Sequence, residues 1–119
     1  MSREVMLENL EDVIEALDMF TGDNSNGVLL ALLFVDATTE EILNFQKEDV
    51  DKNKGTLKLT TNVGHKREIK VEEQWMIDFI AKVYENGFSV KNEDDIFNRL
   101  LEIKELWGKD NFKFLGIDM

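Results

Sequence analysis

The chain has 119 residues, no Cys, no Pro, a single His and a formal net charge of −11. That length supports one hydrophobic core, so residues 1–119 are read as a single domain. Without Cys there is neither a disulfide framework nor a thiolate zinc site, and His65 alone excludes any metal centre or catalytic scheme needing two imidazoles.

The longest apolar run, Val28 to Val35, falls far short of the roughly 18 residues of a membrane span. The first residues, Ser2-Arg3-Glu4, lack the basic-then-apolar order of a signal peptide, so a cytoplasmic location is expected, with no membrane partner. The charge is uneven. Residues 1–46 carry ten acidic side chains and one basic, whereas residues 47–70 carry seven basic and four acidic. Half of the positive charge therefore lies in one stretch, the first place to look for an anion contact.

Apolar residues at Val5, Met6, Leu10, Val13, Ile14, Leu17 and Phe20 are spaced by threes and fours and predict a helix over 5–19, ended by the turn-rich segment 21–27. Val28 to Val35 is apolar all round, and its Leu and Ala content predicts a buried helix at the centre of the core. Thr38 and Glu41 have the spacing of a capping box that opens a short helix through Ile42, Leu43 and Phe45. Residues 47–51 read as a turn. Residues 56–61 and 67–71 alternate with period two around a Gly-containing loop, which predicts a β-hairpin. Leu57, Leu59, Ile69 and Val71 would face the core; Lys58, Lys70, Glu68 and the threonines would face out. Helices follow over 72–85 and from the cap Asn92 to Gly108. The apolar segment Phe112–Ile117 comes last. Trp75, Phe79, Phe97 and Trp107 stand at helical spacings and are expected in the core. The fold class is thus α+β, mainly helical with a small antiparallel hairpin or sheet.

Little here points to metal or nucleophilic chemistry. The acidic groups Glu40-Glu41, Glu72-Glu73 and Glu93-Asp94-Asp95 each fall at a predicted helix start, where carboxylates favour the helix dipole. Asp51, Asn53 and Gly55 follow Asp49 in step with a calcium loop, but Thr60 stands where that loop needs its last carboxylate, and a turn is the better reading. No metal, cofactor or catalytic residue is expected.

Two segments carry a resemblance. Residues 29–51 look like the buried helix, the G-L-R-x-S-E-L-x-x-L element and the following D-[IV]-D turn of the tyrosine recombinase (phage integrase) catalytic domain; Glu41 to Phe45 matches E-L-L-x-L. Residues 55–71 resemble that family's hairpin, with Val63 to Arg67 on its loop and second strand. The resemblance covers roughly residues 5–86 and implies the first part of that fold. It also implies where catalytic groups would stand, and they are missing. Thr38 occupies the position of the first catalytic arginine, with Asp36 at that of the glycine. The hairpin lysine falls on or near Asn62, or on Lys66 if the alignment slips. Beyond residue 86 there is no His and no Tyr, and Tyr84 does not match the nucleophile's position. Losing a single transition-state donor typically costs about 2.7–4 kcal/mol of barrier. The expectation is therefore not an enzyme but an inactive integrase-like regulator that touches DNA through Lys58, Asn62, His65, Lys66, Arg67 and Lys70. Two other readings stay open: an acidic interaction module that engages a recombinase-like protein or itself, using the apolar segment Phe112 to Met119, or a fragment of a longer recombinase-like protein.

Overall fold

The computed structural model describes residues 3–108. In chain order these form α1 (Arg3–Thr21), α2 (Gly27–Phe34), α3 (Thr39–Asn44), a 3-10 turn (Lys47–Asp49), β1 (Val50–Asp51), β2 (Thr56–Thr60), β3 (Lys66–Lys70), α4 (Gln74–Glu85) and α5 (Glu93–Trp107). The class is α+β, as the hydrophobic patterning predicts. The apolar segment Phe112–Met119 lies outside the described residues.

α2 is the centre of the core. Val28, Leu29, Leu30, Ala31 and Leu32 are all fully buried, which explains why this helix has no polar face. It packs against α1, α4 and α5. Gly27 opens it at a close approach: a Cβ there would lie 2.8 Å from Ile14 Cγ1 and 3.5 Å from Phe79 Cζ. Gly27→Ala is expected to destabilise the fold by about 1–3 kcal/mol through overpacking. Urea unfolding would measure this, and an unchanged midpoint would mean that Ile14 yields freely.

α1 is longer than expected, and only its central turns are buried: Leu10, Val13, Ile14 and Leu17. Val5 and Phe20, both expected on the apolar face, are exposed, Phe20 at 71%. At 1.5 Å per residue α1 runs about 28 Å and α2 only about 12 Å, so the ends of α1 overhang the helix they flank. Phe97, expected in the core, is half exposed, because α5 buries the line Ile96, Leu100 and Ile103 and Phe97 stands one residue off it. Trp75, Phe79 and Trp107 are half-buried at the edge of the core.

The predicted hairpin is present and is joined by a strand that periodicity over two residues cannot reveal. β1 pairs antiparallel with β2 (Val50 with Leu57), giving the order β1-β2-β3. The connecting turn is closed by Asp51, whose Oδ1 accepts from the amides of Asn53 and Lys54, both at 3.0 Å. The calcium-like spacing is therefore a side-chain-closed turn. β2 pairs with β3 in the register Leu57 with Ile69, Lys58 with Glu68, Leu59 with Arg67 and Thr60 with Lys66. Leu57, Leu59 and Val71 are buried as expected and Ile69 partly so; Thr56 faces out as expected, opposite Lys70, and is nonetheless buried in the central strand. The sheet lies against α3 and α4.

Candidate nucleic-acid interface

Directly opposed residues of an antiparallel pair lie on the same face of the sheet. The register therefore puts Lys58, Lys66 and Lys70 on the outer face with Glu68, Thr56 and Thr60, and puts Arg67 on the inner face with Leu57, Leu59 and Ile69. The six residues expected to meet DNA thus divide into two groups.

Lys58, His65 and Lys66 are exposed, and no hydrogen bond or ion pair involves their side chains among the described residues. His65 sits in the loop, where its amide donates to Thr61 Oγ1 at 3.1 Å and its carbonyl accepts from the Thr61 amide at 2.9 Å. Gly64 takes φ +84°, the left-handed conformation this tight loop requires. Lys66 lines a groove of about 490 Å³ between the hairpin and the segment after α3, with Asn44, Gln46, Glu48 and Asp49 among the other walls.

Asn62, Arg67 and Lys70 are held by the fold. The Asn62 side-chain oxygen accepts from Asn44 Nδ2 at 2.9 Å and its amide donates to the Glu40 carboxylate, so Asn62 fastens the hairpin tip to α3. Lys70 Nζ donates to the Lys54 carbonyl at 2.9 Å. Arg67 departs furthest from expectation. Its Nε donates to Glu41 Oε2 at 2.8 Å and its Nη2 to Glu41 Oε1 at 2.9 Å, a two-pronged ion pair; Nη2 also reaches the Asp36 carbonyl at 2.8 Å. Arg67 joins β3 to α3 through a paired charge, although its side chain stays 41% exposed, whereas Lys66 has no such partner among the described residues.

Glu41 is the hub of this arrangement, and its residue is only 3% exposed. Its Oε1 accepts from the Thr38 amide at 3.0 Å, while the Glu41 amide donates to Thr38 Oγ1 at 3.2 Å, the predicted capping box. The hydrogen-bonded Arg67 guanidinium, helped by the Thr38 amide, holds the Glu41 carboxyl down at about 2, against an ordinary 4.5. Asp36, at φ +66°, takes a left-handed conformation that glycine adopts without strain. Sequence reasoning identified the cap but missed its partner Arg67. Strand alternation was the available signal, since positions 67, 69 and 71 share one face.

Tyr84, the chain's one tyrosine, is buried between Phe45 and Phe88, with edge-on ring contacts at 4.9 and 5.5 Å. Its hydroxyl has no hydrogen-bond partner among the described residues. Burial first, then the Asp49 charge, raises its pKa well above the phenol range. The phenol is thus enclosed and held in its neutral form. Tyr84→Phe is expected to leave stability unchanged or raise it by up to about 1–2 kcal/mol, since it removes an unsatisfied polar group. A clear drop in the urea midpoint would show that the hydroxyl is structurally engaged.

Among the described residues no helix is long and apolar enough to cross a membrane. No curated protein and no solved structure matches the chain. A family profile described as MrpR, C-terminal catalytic domain, matches residues 16–107, running from the middle of α1 through the sheet to the end of α5. With well over half of its residues in that match, the chain belongs to the MrpR C-terminal catalytic domain family.

Proposed function

We propose that this chain is a catalytically inactive, integrase-like domain that acts as a DNA-associated regulator in a phage or mobile-element setting. One observation carries the reading. The position that the recombinase resemblance gives to the first catalytic arginine is Thr38, a neutral helix cap, and the arginine that reaches this cap, Arg67, is neutralised by Glu41. A pentavalent phosphate transition state needs uncompensated cationic donors aimed at it. Here the cation has become part of the scaffold. The buried Tyr84 hydroxyl supports the same conclusion. Retained activity in this member of the MrpR C-terminal catalytic domain family would show itself as DNA strand cleavage.

DNA contact is assigned to the outer face of the hairpin, where Lys58 and Lys66 point to solvent with Lys70 and His65 near them. Phosphate contacts of this kind give weak, salt-sensitive affinity with little sequence discrimination. The test is fluorescence anisotropy on a labelled duplex across a salt series, with a supercoiled plasmid incubated in parallel. Binding that weakens steeply with salt, and a plasmid that stays closed, is the expected result. A nicked plasmid would overturn the inactive assignment, and no binding at about 50 mM salt would overturn the DNA assignment.

A further inference from the structure

The basic hairpin leaves an acidic stripe on α1 unexplained. Glu4, Glu8, Glu11, Glu15 and Asp18 recur at spacings of four and three along α1, and all five are exposed. Residues so spaced lie on one face of a helix, here as a stripe running about 21 Å. No salt bridge among the described residues involves any of them. Like charges at this spacing repel one another and weaken the helix that carries them. The stripe borders an apolar groove of about 290 Å³, lined by Glu11, Ile14 and Glu15 of α1 and by Trp75 and Phe79 of α4. Both aromatic rings are only half-buried.

An aromatic face flanked by carboxylates suits one kind of group, a cation on an aliphatic stem. The ring takes the stem and the inner edge of the charge, and the carboxylates take the rest. An acidic or purely apolar ligand would leave Glu11 and Glu15 unanswered. We propose that the groove between α1 and α4 is a docking site for a basic segment of a partner protein, with an arginine or lysine side chain lying over Trp75 between Glu11 and Glu15. Further basic residues of that segment would follow the stripe along α1. This surface is separate from the hairpin and stands whether or not the hairpin binds DNA.

The probe is a short, labelled, arginine-rich peptide on a Gly-Ser background, with its citrulline counterpart as the neutral isostere, titrated by anisotropy at about 50 mM salt. The arginine peptide should bind and the citrulline peptide should not. Glu11→Gln/Glu15→Gln should weaken binding by about tenfold. Glu48→Gln/Glu68→Gln, an equal change in net charge elsewhere, should change it less than about twofold. Trp75→Leu, which keeps the groove apolar but removes the ring, should weaken binding about fivefold, with Trp75→Phe retaining most of it. If the two glutamate pairs weaken binding equally, the attraction is diffuse and the site is wrong. Binding by Trp75→Leu as tight as by the parent chain would equally overturn it. The glutamate comparison stands even if Trp75→Leu does not fold. Self-association of the free chain that Lys66→Ala abolishes would replace the foreign segment with a second copy's hairpin, and so refute this occupant.

Discussion

Arg67→Met is expected to lower folding stability by about 2–4 kcal/mol. Removing one partner from a buried ion pair typically costs about 3–5 kcal/mol, because the remaining charge is left desolvated and unanswered. Here the carboxylate is 4% exposed but the arginine side chain 41% exposed, so solvent screening brings the expected loss to the lower end of that range and somewhat below it. The loss comes from Glu41, which sits beneath the sheet and keeps only the Thr38 cap as a partner. Adding Glu41→Gln should therefore recover much of it: the amide still offers an oxygen to the Thr38 N–H and no longer carries a buried charge. Urea unfolding of the two single variants and the double variant gives the coupling directly. Additive effects would mean that the pair does not hold α3 to β3.

The same pair sets part of the response to acid. The folded carboxyl of Glu41 lies at about 2, below its ordinary 4.5. A depressed folded-state value means that the unfolded chain binds the proton first. The stabilisation from Glu41 is thus complete above 4.5 and is lost as pH falls from there through about 2. Over that window the parent chain should lose stability more steeply than Arg67→Met, whose Glu41 lacks the guanidinium that lowers its value. Parallel acid limbs for the two proteins would contradict the assignment.

What could be read from the residues, and what could not, follows from the range of the interactions. The capping box at Thr38 and Glu41 spans one helical turn, so its chemistry is written in four adjacent residues. The α2 core was legible because a helix with no polar face has nowhere else to go. Arg67 is harder to read, because its charge and its strand parity point in opposite directions. Its charge suggested a surface role, while its place two residues before Ile69 put it on the inner face, with Glu41 twenty-six positions earlier in the chain as the waiting partner. The strand β1 and the α1–α4 groove were illegible for a different reason. Two residues show no period, and a groove exists only once two helices distant in sequence are packed.

The second large effect expected is on DNA binding. Lys58→Ala/Lys66→Ala should weaken affinity for a duplex roughly a hundredfold at about 50 mM salt and reduce the salt slope by about 1.8, since each phosphate neutralised contributes about 0.9 to that slope. The two lysines share the outer face as a diagonal pair on neighbouring strands, roughly 7–8 Å apart, so both can reach one backbone. Lys70→Ala should matter less, because its ammonium already donates to the Lys54 carbonyl. The rest of the molecule opposes this contact. The chain carries −11 overall, and Glu48 and Asp49 line the groove beside Lys66. Salt therefore acts twice: it screens the repulsion between the acidic body and DNA, and it diminishes the counterion release that drives the lysine contacts. The parent chain should show a shallower slope than two or three phosphate contacts alone would give, and removing the lysines should expose the repulsive part as a slope near zero or of opposite sign. Unchanged affinity and slope in the double variant would place the DNA contact somewhere other than this hairpin.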